Sequence, residues 1–435
     1  MPRAVILTID ERVDRRILRE AESLQAAGFE VAGIAGPRYG GETDPDPHWL
    51  QRVDSAEAVS RAGGGRLRAL WARHGRPLAA RYPFVRDGAT AVRRVLTRSR
   101  AYDPTNYFDA LMFPTASRVV ADVYIAHDLP LLATAVRCAQ RHGAVSVYDS
   151  HELWAEQEFE ASVKARWQAL EETWIGAADA VIAVNTSIAD ELKHRYGLSQ
   201  VAVVHNAEHP LPPARIKPRL FHQYFGLPPE ARVVLFQGGY SASRNLDNLI
   251  GAFAQIKDPR LHLVMLGWGE MQGRLERMVH QGNLSARVHF HPKVAQNVLL
   301  SYTQSADVGI IPYRPVCLNT RLCTPNKLFE FIAAGLPIVA SDLPELRRFI
   351  VGLDIGLVGD TASAQGIAAL IDQFFADPAQ ATRFSANMPA AQQRACWAVE
   401  GVVFMDAVHA ALRRGAERAS NPLAASPPAA AAPQA

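Results

Sequence analysis

Short apolar runs alternate with segments of helical periodicity along most of the chain, and no other feature narrows the fold as much. A run that is apolar throughout reads as a strand buried on both faces, and such strands belong to parallel sheets. Parallel neighbours need a crossover, which the intervening helical segments supply. In the first half, strands are expected at Ala4–Ile9, Glu30–Ile34, Val123–Ala126, Val145–Tyr148, Ala180–Val184 and Val201–Val204. Helices are expected at Arg15–Ala27, Pro130–His142 and Ser162–Gly176. Pro210, Pro212, Pro213 and Pro218 then mark a linker. A second series follows, with strands at Val233–Gln237, Leu261–Leu266, Val288–His291, Val308–Ile311, Ile338–Ala340 and Gly356–Val358. Its helices include Leu246–Ile256, Met271–His280, Asn326–Ala334 and Ala362–Ala376. The expected fold class is α/β, with one domain over 1–210, a second over 219–395, and a cleft between them. Ligands of such sheets bind beyond the carboxyl ends of the strands. From Gly415 the sequence turns Ala/Pro-rich, and 415–435 is expected to be a disordered tail.

Composition removes several classes. The 435 residues are 49% hydrophobic, enough for two ordinary cores. A net charge of +3 gives no whole-chain reason to expect nucleic acid. Cys138, Cys317, Cys323 and Cys396 show no metal-type spacing and read as reduced thiols. The chain enters its first strand without a leader pattern, and no apolar run approaches the ~20 residues that span a bilayer. A soluble cytoplasmic protein is expected, with a peripheral place on a membrane left open.

The segment Thr324–Ser341, TPNKLFEFIAAGLPIVAS, carries the sharpest chemical signal. Thr324 reads as an N-cap and Pro325 as the first helical residue. Lys327 falls in the first turn, where free amide N–H groups already carry partial positive charge. A cation there is unfavourable unless an anion faces it, so the pattern suits a phosphate. Glu330 shares the face of Lys327 and could take ribose hydroxyls. The same pair also fits an ordinary surface ion pair. Gly335 and Pro337 end the helix before the next strand.

Other constellations cluster at strand ends. His127 opens HDLP and His151 stands in VYDSHELW, each beyond an apolar strand and beside carboxylates (Asp128; Asp149 and Glu152). They form a polar site or satisfy their own loops; Asp149 or Glu152 could orient an imidazole. Gly238 and Gly239 follow the first strand of the second series, and Arg244 precedes its helix. Glycines there let backbone approach phosphate, and Arg244 with Lys327 would clamp a diphosphate. Gly267 and Gly269 make another strand-to-helix turn. Asp44–Asp46 resembles a metal-binding DxD but lies in a Pro-rich loop, and no metal is expected. Arg61–Arg100 holds eleven arginines and one acid, Asp87. Arg66, Arg68, Arg73 and Arg76 could form a solvated helical face or dock an anionic lipid surface or acceptor. No nucleic-acid reader motif accompanies them.

The runs PNKLFEFIAAGLPIVAS, HDLP, YDSHELW and DERVDRRILREAESLQAAGFEV together resemble the retaining glycosyltransferases of family four over roughly Ala4 to Ala410. The resemblance implies the GT-B fold, two Rossmann-like domains with parallel sheets facing across a cleft. It implies sugar transfer from a nucleoside-diphosphate sugar to a glycan or lipid-linked acceptor, with retention and without metal or other cofactor. The second domain would bind the donor through Gly238, Gly239, Arg244, Asn326, Lys327 and Glu330. His151 would stand at the reacting centre with His127 near it, and Arg244 and Lys327 would act on the departing diphosphate. The first domain would bind the acceptor, and a helix over 396–414 would cross back to it. Two departures stand out: Leu322 replaces the first of the family's two glutamates, and Asp10–Asp14 replaces a Gly-rich loop. Asn319, Thr320 or backbone around Thr324 would then replace the missing carboxylate. A nucleotide-sugar epimerase of the same fold and a non-catalytic scaffold are the rival readings.

Overall fold

The computed structural model describes residues 1–38, 45–53, 104–212 and 216–420. Arg66, Arg68, Arg73 and Arg76, with the rest of the arginine-rich segment, lie outside the described residues. Contacts divide the chain into two units. One comprises Met1–Val184, Ile188–Val204 and the chain from Gly401 on; the other comprises Asn185–Ser187 and His205–Glu400. The division falls at His205, ahead of the Pro-rich stretch expected to carry it.

The first unit holds strands β1 (Arg3–Thr8), β2 (Glu30–Ala35), β3 (Leu50–Arg52), β4 (Val123–His127), β5 (Val145–Ser150), β6 (Ala180–Ala183) and β7 (Ala202–Val203). They form one sheet in the order β3-β2-β1-β4-β5-β6-β7, parallel throughout. The order reverses between β1 and β4, the switch point where such sheets bind ligands. Val5, Leu7, Ile34, Tyr124 and Ala126 belong to its core. The helix Arg15–Ala26 starts where the Asp14 side chain accepts the Arg16 amide at 2.8 Å. It buries Ile17, Ala21 and Leu24.

The second unit holds β8 (Arg232–Gly239), β9 (Leu261–Trp268), β10 (Val288–His291), β11 (Val308–Ile311), β12 (Ile338–Ser341) and β13 (Gly356–Gly359). Their order is β10-β9-β8-β11-β12-β13, again parallel, with the switch point between β8 and β11. Val234, Phe236, Leu263, Ile310, Phe329 and Val339 belong to its core.

Three expectations need correction. Thr324 does not cap its helix: the helix runs Asn326–Ala333 with Pro325 at the cap position, and the Thr324 hydroxyl accepts from the Asn185 amide at 3.2 Å. The short edge strand β3 has no counterpart among the expected strands. The last helix runs Trp397–Ser420, beyond the expected end and into the stretch read as a tail. Its residues up to Glu400 belong to the second unit and those from Gly401 to the first. Among the described residues no helix is long and apolar enough to cross a membrane.

Candidate functional site

In the second unit, the residues singled out for a diphosphate meet at the switch point. Lys327 is 6% exposed, and among the described residues Glu330 is the carboxylate whose charge favours its ammonium. Lys327 Nζ lies 3.8 Å from the centroid of Phe236, the fourth residue from the end of β8, and 5.0 Å from that of Tyr313, just beyond β11. Arg244 stacks on the same Tyr313 ring at 4.1 Å. Two cations thus approach one aromatic ring, with only part of their mutual repulsion offset by Glu330. Burial first, and then the charge of Arg244, hold the Lys327 pKa well below its ordinary value. Asn245 fixes Arg244 in place: it takes a left-handed conformation (φ 60°), and its side chain donates to the Thr361 carbonyl at 2.6 Å.

Gly238, also at positive φ (120°), leaves room for the lysine: a Cβ there would stand 3.3 Å from Lys327 Nζ. Gly239 faces open space apart from the Trp268 carbonyl at 4.0 Å. Gly267 and Gly269 are steric necessities, since a Cβ would meet the Gly238 carbonyl oxygen at 2.0 Å and the Tyr240 carbonyl oxygen at 2.4 Å. Glu330 does not pair with Lys327; its carboxylate accepts from the Gln237 amide, whose oxygen accepts the Thr303 hydroxyl at 2.8 Å. The surface-pair reading therefore fails: Lys327 is buried and Glu330 is held elsewhere. Asn326 accepts from Asn206 at 2.6 Å. Leu322 ends a short helix, Leu318–Leu322, with its carbonyl accepting from Asn185 at 2.8 Å. Of the side chains expected to replace the missing carboxylate, Thr320 is committed to a capping box with Cys317.

In the first unit the two histidines also come together at the switch point. His127 is the last residue of β4 and pairs in register with Asp149 of β5; His151 follows β5 directly. His127 Nδ1 lies 2.9 Å from His151 Nε2, which lies 3.1 Å from Asp149 Oδ2. Asp128 bends the chain at φ 65°, an unusual value for a non-glycine residue, and accepts the His151 amide at 3.0 Å. Of the two proposed orienting acids, Asp149 reaches the imidazole, whereas Glu152 accepts from Gln157 at 2.6 Å. Behind Asp149 lies Arg16, whose side chain is fully buried and donates from Nε at 2.8 Å and Nη2 at 2.6 Å to the two carboxylate oxygens. Arg16 also donates to Glu20 at 2.9 Å and to the Val204 carbonyl.

His127, Asp149 and His151 place one ligand atom each within 4.8 Å of one another, close enough to share a metal ion. Those atoms are already bonded to one another, and a permanent cation chelates Asp149, so the cluster reads first as a hydrogen-bonded network. Asp46, the described half of the DxD pattern, is occupied by Arg38 at 2.7 Å and Arg52 at 2.8 Å.

Sequence reasoning missed Arg16, Glu20, Gln237, Tyr313 and Trp268. Arg16 and Glu20 stand at i and i+4 beside the apolar stripe of Ile17, Ala21 and Leu24, a spacing that hinted at shared burial. Trp268 sits between Gly267 and Gly269 at the end of β9, 48% exposed, with Lys293 Nζ 5.4 Å from its ring.

Residues 219–390 match the family described as glycosyl transferases group 1, and residues 13–207 match glycosyltransferase family 4. The chain is similar to a D-inositol 3-phosphate glycosyltransferase of Xylanimonas cellulosilytica, 26% identical over 263 residues, which are 56% of this chain and 60% of that protein. The match spans less than two thirds of that relative's length. Among solved structures, a sucrose-phosphate synthase from Thermosynechococcus elongatus superposes with a TM-score of 0.68 at 17% identity, covering 98% of this chain and 100% of the other. HepE of Anabaena, solved in complex with UDP, gives 0.65 at 14% identity over 94% and 99%. At these identities the likeness to the two structures is one of fold.

Proposed function

Because the chain belongs to the GT-B glycosyltransferases with family-four-like domains, we propose that it transfers a sugar from a nucleoside diphosphate to a glycan or lipid-linked acceptor with retention of configuration. The observation that carries this reading is the pair of cations, Lys327 and Arg244, over Tyr313 at the second switch point. A buried ammonium beside a second cation is costly, and an arriving anion offsets that cost. The diphosphate is that anion. It gains charge as it departs, so both cations act most strongly in the transition state. Glu330 would receive the ribose, and the base would reach towards the exposed face of Trp268. The leaving phosphate would take the acceptor's proton on the same face, so the chemistry needs neither a protein nucleophile nor a metal. The first unit would receive the acceptor and present His151 to the reacting centre. The UDP in the HepE complex makes UDP the first nucleotide to try.

The test is a thermal-shift screen against UDP, GDP, ADP, CDP and their common sugars without added metal. One nucleotide should raise the midpoint, by about 2.7 kcal/mol of stabilisation at a hundred times its Kd. Lys327→Ala should abolish the shift. No shift with any of them would overturn the reading.

A further inference from the structure

The network behind His151 is more elaborate than orienting one ring requires. We propose that Asp149, braced by Arg16 and Glu20, grips His151 by Nε2 and keeps it an imidazolium, so that Nδ1–H is the donor presented to substrate; its catalytic use rests on the transferase reading.

The proton inventory leads there step by step. Arg16 only donates, so both Asp149 oxygens are acceptors. Of the two ring nitrogens that face Asp149 Oδ2, His151 Nε2 at 3.1 Å is closer than His127 Nδ1 at 3.4 Å, so the hydrogen is assigned to His151 Nε2. That hydrogen also faces His127 Nδ1 at 2.9 Å, which makes His127 Nδ1 an acceptor. His127, if neutral, then carries its proton on Nε2, which faces Glu20 Oε2 at 3.5 Å. At that distance the two atoms make no hydrogen bond, and the other Glu20 oxygen accepts from Arg16 at 2.9 Å. His151 Nδ1 has no protein partner among the described residues, and the side chain keeps 15% of its surface exposed.

Among the surrounding charges, Asp149 and Asp128 favour the proton on His151 and Arg16 opposes it. Asp10, Arg16, Glu20, His127, Asp128 and Asp149 face the ring from β1, the Arg15–Ala26 helix, β4 and β5. Burial opposes the charge on His151, but Asp149 and then Asp128 outweigh it and raise its pKa to about 10. Burial, and then the charge on His151, hold His127 well below its ordinary value. One ring stays charged while its neighbour stays neutral, an arrangement the tautomer chain accommodates. A neutral His151 would keep its Nε2 hydrogen on Asp149 and turn Nδ1 into an acceptor, the wrong polarity for a departing phosphate or a sugar oxygen. Asp149 is thus a positioning residue that selects the polarity of His151.

Histidine ring NMR on the full chain reads the charge state without turnover. At about pH 8, where an ordinary imidazole is neutral, both nitrogens of wild-type His151 should be protonated. A neutral ring there would overturn the proposal whatever the activity. In Asp149→Asn the ring should titrate near its ordinary value, and kcat/KM should fall about tenfold per pH unit above about pH 6.5, while wild type shows no such limb. A profile parallel to wild type would remove Asp149 from the role. If Asp149→Asn does not fold, Glu20→Gln, which keeps the Asp149–His151 contact, should leave His151 charged at the same pH; loss of the charge there would place the control on Glu20 and overturn the assignment to Asp149.

Discussion

Lys327 is buried among aromatic rings beside a second cation, and burial and that cation outweigh the pull of Glu330. Such a residue trades stability for ligand affinity. The sign follows from its lowered pKa. The unfolded chain holds the lysine proton more tightly than the fold does, so ligand-free stability should rise with pH between the lowered value and about 10.4. Lys327→Met keeps the aliphatic stem against Phe236 and removes the charge. It should raise the ligand-free melting temperature by about 2–4 °C for each ~1 kcal/mol recovered, and abolish the nucleotide-induced shift. A fall of several degrees would mean that the ammonium has a stabilising partner in the free protein. Lys327, Arg244 and Glu330 were legible in the sequence because helix starts and strand-end turns have local signatures. Phe236, Gln237 and Tyr313 were not, because they reach Lys327, Glu330 and Arg244 only through the parallel register of β8 and β11 and the helix packed beside them. Arg16 and Glu20 were hidden for a related reason: an Arg–Glu pair one turn apart looks the same on a solvated face as in a buried one.

At the level of elements, buried parallel strands announce themselves as continuous apolar runs, and β10 and β11 lie at their expected bounds. β3 escaped because Leu-Gln-Arg at a sheet edge carries no such run. The final helix outran its expected end because its last turns are fixed by tertiary contacts. Arg418 pairs with Asp179, and Gly415 packs where a Cβ would stand 2.4 Å from Val145 Cγ1. Val145 opens β5, the strand whose far end carries Asp149. The contact is with a stiff β-branched side chain, so it cannot relax by a cheap rotation. Gly415→Ala should therefore destabilise by about 1–3 kcal/mol, against a helix propensity that favours alanine by about 1 kcal/mol. Adding Val145→Ala should recover part of the loss, with a coupling of about 0.5–3 kcal/mol in a double-mutant unfolding cycle. Strict additivity would show that the helix does not bear on β5 at this point.

Across the whole molecule, a near-neutral chain carries opposite chemistry at its two switch points. The second unit offers two cations over one aromatic ring, and the first offers a knot of acids and histidines around one arginine. The distribution bears on how a diphosphate is neutralised. Lys327 and Arg244 supply two positive charges, enough to offset most of the charge a nucleoside diphosphate develops on leaving. On the proposed reading a divalent ion would have no such task in the second unit. In the first unit, His127, Asp149 and His151 are spaced to share an ion, but an incoming cation would have to displace the hydrogen between the rings and face Arg16 across Asp149. Turnover should therefore be unchanged in excess chelator, and Arg244→Ala should lower kcat/KM by about two to three orders of magnitude, as removal of one charge-stabilising donor does elsewhere. Activity that vanishes with chelator and returns with a divalent ion would reverse the assignment. It would move charge compensation from the cation pair to the histidine cluster, and Asp149 would then be a ligand instead of a clamp.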